Sequence, residues 1–437
     1  MNRANYLVYF FLLMSCAISV VFACIPNPIC NLIAIVILNT VIISTVKLNI
    51  IHPFVWYIPI FSLYSFGNLI LVLFGNEIYT NATWELFIIQ YVFLVTLIVV
   101  ISPKVYTLKI EKKWMKSEFD VYRVVSVILA VLGSFYIVYL YSTGLTSKYD
   151  IKLSSSPIDF LALSFNFLFV TFSFYLIYKI NKNREFPYLI YFIYIVWLII
   201  VFSVNGERDL LLKGFWVGIF IYHVYYREIS KKIVMLIAIL VIITMPFLQN
   251  LKSFSTKGIN LTLDDNIFIS IVNSEFVAAS RNLATLVLNQ SKWDFKYGET
   301  LIWDIQSAFL NIAGSPTLWF NQTFYPNLLS RGGGSGFSII GEGYLNFGMI
   351  GVILWGIMVG FTIKLLYKYG SNNFYIMNIY ILTMPLVIYV TRADFATLMS
   401  QFSKQIIIPI LVIFLINKVY KQYYFSKKVE RTKEFEK

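Results

Sequence analysis

An all-α, polytopic integral membrane fold is what this 437-residue chain predicts, and three observations predict it. Hydrophobic residues make up 59% of the sequence and charged residues only 13%, with a mean hydropathy of +0.74. No water-soluble domain of this length carries so little charge. The apolar residues fall in runs of about 20, the length an α-helix needs to cross a hydrocarbon core of about 30 Å. Runs such as VFLVTLIVVI and KIVMLIAILVII also lack the in-out alternation of a lipid-facing barrel strand, so their backbone groups must be satisfied within helices.

Twelve transmembrane helices are expected, over residues 5–24, 28–46, 54–74, 84–101, 122–142, 157–178, 187–204, 210–226, 232–249, 346–366, 374–391 and 403–418. The first is no cleavable signal, because another span follows it at once with no soluble domain between. The three cysteines, Cys16, Cys24 and Cys30, sit in or between the first two spans. They have no metal spacing and read as packed apolar side chains. Basic residues set the orientation. The loop from Pro103 to Arg123, the turns KINKNR and REISKK and the tail after Lys418 hold most of the 35 Lys and Arg residues. An even number of spans puts both termini on that side, so both are expected in the cytoplasm. The net charge of +13 is then an orientation signal and an attraction to anionic headgroups; nothing in it points to nucleic acid.

The expected organisation is helices one to nine over 1–249, a large external loop over 250–345, helices ten to twelve over 346–418 and a basic cytoplasmic tail over 419–437. Too aromatic to float free, the loop is expected to pack on the membrane domain. Val272 to Asn289 reads as an amphipathic helix, with Val272, Phe276, Ala279, Leu283, Leu286 and Val287 on one face. Ser274, Glu275, Ala278, Arg281, Asn282 and Thr285 fall on the other. Thr300 to Asn311 is a second helical candidate, and Trp293, Trp303, Trp319, Phe320 and Tyr325 suit a headgroup boundary.

Charges kept at span ends mark a site or a pathway, because charge at a bilayer is costly. Here they gather on the external face. NGERD carries Glu207, Arg208 and Asp209; the loop carries Arg281, Asp304 and Arg331; TRAD carries Arg392 and Asp394. Arg331 opens RGGGSGFSIIGEGYLNFG, which also supplies Glu342. A guanidinium fork suits phosphate, and glycines let backbone N–H groups approach an anion. A plainer reading stands beside it: Asp209 can pair with Lys213 one turn on, Arg392 with Asp394, and Glu342 can simply favour a helix dipole.

The order of these motifs resembles the O-antigen and capsule repeat-unit polymerases, the Wzy family, most closely over residues 205–394. Many spans, an arginine-bearing turn, a large external loop and a Gly-Ser stretch leading into IGEGYLNFGMIGV carry the resemblance. Where some members place a glycine eleven positions after an arginine, Arg331 is followed by Gly341 and Gly343. The resemblance implies a metal-independent glycosyltransferase of the bacterial cytoplasmic membrane, with its active site facing the periplasm or exterior and no cofactor. Its substrates would be undecaprenyl-pyrophosphate-linked glycans, as donor and as acceptor. Membrane lipids, a chain-length regulator and a flippase would be its partners. Arg208, Arg281, Arg331 and Arg392 would hold pyrophosphate. Such chemistry needs cations where charge develops on the leaving group, and a base for the acceptor hydroxyl.

The two histidines are expected away from the external face, His52 near the cytoplasmic side and His223 toward the inner end of the eighth span. A carboxylate therefore takes the role of base. Glu342 is the first choice, together with Arg331 as the catalytic pair, and Glu207, Asp304 and Asp394 are the other candidates. Two competing functions share the architecture: an O-antigen ligase, which calls for an external histidine, and a flippase or transporter, which calls for polar groups at the bilayer midplane.

Overall fold

The computed structural model describes residues 3–75, 77–101, 121–145, 156–205, 208–237, 239–240, 277–307, 314–330 and 333–435. Among them there is no strand. The chain forms two compact units, one of residues 1–112 and 227–400 and the other of residues 113–226 and 401–437.

The first unit begins with α1 (Arg3–Ala23) and α2 (Pro28–Thr45). Asn27 caps α2 by accepting the Ile29 and Cys30 amides, and Pro28 supplies the preset φ of a first helical residue. Cys16, Cys24 and Cys30 are unbridged. The expected third span is instead broken into α3 (Pro53–Trp56), α4 (Ile58–Ser65) and α5 (Gly67–Leu73), with a 57° bend between the α3–α4 stretch and α5. Proline lies in the first turn of both α3 and α4 and Gly67 opens α5, the residues that interrupt a continuous ladder. α6 (Asn81–Ile101) follows.

The second unit holds α7 (Val121–Thr143), α8 (Leu163–Asn183), α9 (Tyr188–Asn205) and α10 (Arg208–Ile221). A Ser156–Asp159 capping box and a 3₁₀ turn, Pro157–Ala162, lead into α8. Val131, Phe135 and Val138 on α7 and Leu189, Phe192 and Ile193 on α9 are exposed, the apolar outer faces that lipid would cover. Lys213, fully buried in α10, pairs with Asp209 one turn earlier, as the spacing suggests, and donates to Gln405 Oε1 at 2.8 Å and Gln401 Oε1 at 3.4 Å.

In the first unit the long loop contributes α11 (Val277–Leu288), α12 (Glu299–Ile305), α13 (Pro316–Phe324) and α14 (Pro326–Ser330). α11 packs on α4, α5 and α6, with Val277 against Leu71 and Ser280 accepting from Gln90 Nε2 at 3.1 Å. The second half of the amphipathic helix is thus where expected; residues 272–276 lie outside the described residues. Asn282, assigned to its polar face, is buried. α15 (Ile339–Gly370), α16 (Phe374–Val390), α17 (Phe395–Gln401) and α18 (Ile408–Phe435) close the chain.

Seven helices among the described residues are long and apolar enough to cross a membrane, eight if the bent pair counts as one span, against the twelve expected. The difference has local causes. α1 counts only over Phe10–Ala23, α16 is 17 residues long, α10 gives way to a π turn at Tyr222–Tyr226, and residues 241–249 of the ninth expected span lie outside the described residues.

Candidate functional site

Glu342 sits near the start of α15, whose first amides are capped by Ser338, the side chain accepting from Gly341 N–H at 3.0 Å. Eight residues of helix then run into a break. Phe347 and Gly348 leave helical geometry, Gly348 at φ +58°, a region that favours glycine. The two helical pieces meet so closely that a Cβ on Gly351 would collide with the Gly343 carbonyl. The glycines of IGEGYLNFGMIGV are thus needed to fold this corner.

The break turns Glu342 inward. It has no exposed surface. Its Oε2 accepts the Phe395 amide at 2.7 Å and its Oε1 the Thr300 hydroxyl at 3.3 Å. Thr300 is held in turn by Asn346 Nδ2 at 2.7 Å, while Asn346 also donates to the Glu342 carbonyl at 2.9 Å. Glu342 therefore satisfies the first amide of another helix, α17. It is also more deeply buried than a carboxylate at a membrane boundary was expected to be.

Asp394 joins it from the turn before α17. One oxygen caps α17 through the Thr397 amide at 2.9 Å and the Thr397 hydroxyl; the other accepts the Thr317 amide at the start of α13, also at 2.9 Å. One carboxylate thereby holds two helix N-termini, where negative charge is stabilised. Asp304, from α12, lies against Glu342 and the Ala396 amide. Neither of its buried oxygens makes a well-formed hydrogen bond among the described residues. Burial first, then the Glu342 charge, raises the Asp304 carboxyl far above the ordinary carboxylate range, so it keeps its proton at neutral pH. Three acids, two from the long loop and one from the turn before α17, meet in one buried cluster. Among the described residues, no group of three or more His, Cys, Asp or Glu has the geometry to hold a metal ion.

The glycine-rich stretch is clamped beside this cluster by two buried asparagines. Asn321 Oδ1 accepts the Ser335 amide at 2.6 Å, and its Nδ2 donates to the Ser335 carbonyl at 2.8 Å. Asn282 donates to the Gly336 carbonyl and accepts from the Ser335 hydroxyl at 2.8 Å. Gly336 in turn lies on the Arg392 carbonyl so closely that any Cβ would collide with it. Residues 333–336 therefore touch both α11, which carries Arg281, and the TRAD turn, which carries Arg392.

The arginines themselves are placed unequally. Arg281 is half exposed and bonds Glu77 Oε1 at 3.2 Å. Arg392 lays its guanidinium over the Tyr389 ring, 4.8 Å from the centroid. Arg208 opens α10 in the other unit. Arg331 and Glu207 lie outside the described residues. Of the histidines, His52 is buried, caps α3 by accepting the Phe54 amide at 3.2 Å and packs on Phe54 and Tyr367. Burial lowers its pKa to about 3, leaving it neutral. His223 falls in the π turn after α10.

Sequence reasoning named all three acids of the cluster but neither the hydroxyl and amides that hold them nor the asparagine clamp. In the sequence Thr300, Asn346, Asn282 and Asn321 look like ordinary polar residues of helix faces, helix ends and loops. A local signal existed only for α13, where Ser315 before Pro316 announces a capped helix start.

A family model described as O-antigen polysaccharide polymerase Wzy matches residues 5–423, nearly the whole chain. No curated protein and no solved structure matches it.

Proposed function

The chain belongs to the O-antigen polysaccharide polymerase Wzy family, and on that premise we propose that it joins lipid-linked glycans at the outer face of the bacterial cytoplasmic membrane. In this reading both termini are cytoplasmic, and the donor is a glycan chain on undecaprenyl pyrophosphate. A hydroxyl of the acceptor's terminal sugar attacks the anomeric carbon of the donor. The bond from that carbon to the pyrophosphate oxygen breaks, a glycosidic bond forms, the hydroxyl proton passes to Glu342, and lipid pyrophosphate leaves.

Charge grows on the departing pyrophosphate, so cations placed there lower the barrier. Arg208, Arg281, Arg331 and Arg392 fill that role, with Arg331 at the reacting phosphate. Asp304, already protonated, leaves Glu342 as the carboxylate able to accept a proton. Glu342 has no exposed surface in the resting structure, so a local opening admits the acceptor hydroxyl when substrate binds. No metal takes part in this scheme.

The activity rests on one observation, the family match across nearly the whole chain. The choice of base is supported by the convergence of α12 and the start of α17 on Glu342. Polymerisation is preferred to ligation or transport on the same match.

The test is genetic and biochemical. Arg331→Ala and Glu342→Gln should each remove long-chain polymer from cells, by a factor of about a hundred to a thousand in rate. Single lipid-linked units and the amount of protein in the membrane should be unchanged. A normal polysaccharide ladder from both variants would sink the assignment.

A further inference from the structure

Next to the carboxyl cluster, the segment from Trp293 to Gly298 is strapped to the corner of α15. Lys296 N–H donates to the Leu345 carbonyl at 3.0 Å, Tyr297 N–H to the Asn346 carbonyl at 3.1 Å and Gly298 N–H to Asn346 Oδ1 at 2.9 Å. The two segments also exchange side chains over glycines. A Cβ on Gly298 would lie 3.5 Å from the Phe347 ring, and one on Gly348 3.6 Å from the Phe295 ring. Tyr297 is held at φ +45°, unfavourable for a bulky residue, yet its side chain is 76% exposed and recovers little by packing. Strain kept where packing does not repay it is a mark of a functional segment.

What the strap delivers is Lys296. Its Nζ lies 5.5 Å from the Trp303 ring centroid and 6.0 Å from that of Trp319, with Glu299 Oε2 at 3.5 Å. Trp319 is set edge-on against Trp293, which is buried and fixed by its own indole N–H to the Leu286 carbonyl at 3.0 Å. Two partly exposed indoles, an ammonium and a carboxylate therefore share one surface. Trp303 directly precedes Asp304, and Trp319 lies two residues after the Thr317 amide that Asp394 accepts. The surface thus borders the acid cluster on two sides.

We infer that Trp303, Trp319 and Lys296, with Glu299, form a saccharide subsite holding one sugar ring of the lipid-linked glycan beside the acid cluster. A pyranose has an apolar C–H face and a rim of hydroxyls. The indole faces match the first, and the paired charges match the second. A lipid tail has no use for an ion pair, and a bare pyrophosphate has none for two indoles. The inference rests on the polymerase reading above and adds the part of the substrate that the arginines do not hold.

The experiment uses the full chain in lipid nanodiscs, with lipid-linked repeat unit extracted from a polymerase-deleted strain as donor and acceptor. Trp303→Ala, Trp319→Ala and Lys296→Gln should each raise KM by about tenfold, the size of an aromatic or ionic contact. The change in kcat should be small, and the product ladder should shift to shorter chains. Trp319→Phe should recover most of the loss, whereas Trp319→Leu, of similar apolarity but without a ring, should not. Unchanged KM in all three variants would overturn the subsite. Recovery by leucine as full as by phenylalanine would instead mark a lipid anchor, and a fall in kcat at constant KM would mark a structural role. Wild-type protein that makes no polymer from these units would overturn the polymerase reading itself, an outcome separate from the other three.

Discussion

Lys213 in the second unit and Glu342 in the first are both shut away from solvent among apolar helices, and their surroundings handle the charge in opposite ways. Around Lys213 the balance is closed: Asp209 offsets the ammonium, and two glutamine carbonyls take its remaining protons. Around Glu342 the cluster carries excess acid. Amide dipoles, a hydroxyl and the retained proton of Asp304 meet that excess, and among the described residues no cation bonds Glu342. A buried ion with its counter-ion is a structural joint, whereas a buried carboxylate held by dipoles alone keeps its capacity to take a proton. On the reading proposed above, charge inside the helices marks chemistry where dipoles rather than a counter-ion hold it.

Removing one member of the closed pair gives the largest expected change in stability. Lys213→Met should strip Asp209 and two glutamines of their partner and sharply reduce folded protein recovered from membranes. Asp209→Asn in the same chain should restore part of the yield, since Asp209 is partly exposed and tolerates neutralisation. Equal yields from the single and double variants would break the contrast with Glu342.

A second test is pH. Asp304 has a raised pKa in the folded chain, so its contribution to stability is complete below the ordinary carboxylate pKa of about 4. It is then lost as pH climbs toward the raised value. Thermal unfolding of purified wild-type protein should therefore move to lower temperature from pH 5 to pH 9, and Asp304→Asn, which cannot ionise, should flatten that slope. Identical slopes would show that the Asp304 carboxyl is not held protonated by the fold.

The smallest expected effect on stability belongs to Arg281. Its bond to Glu77 is half exposed, and such pairs contribute about 1 kcal/mol or less. Arg281→Ala should leave the melting temperature within about 1–2 °C of wild type, while polymer length in cells drops, as its proposed role at the pyrophosphate requires. A large loss of stability with normal polymer would assign Arg281 to the fold and remove it from the site.

The composition and the long apolar runs determined by themselves that this chain is helical and crosses a membrane, because a bilayer leaves backbone polar groups no partner outside a helix. Local spacing also determined the Asp209–Lys213 bridge, four residues apart on one face. The meeting of Asp304, Glu342 and Asp394 was decided only by the tertiary structure. They come from α12, the bent start of α15 and the turn before α17, and no periodicity relates residues 38 and 52 positions apart. The break at Phe347–Gly348 and the buried Thr300, Asn346, Asn282 and Asn321 belong to the same level. A polar side chain is buried when distant backbone groups arrive to satisfy it, and that depends on packing between segments that no single stretch of sequence contains.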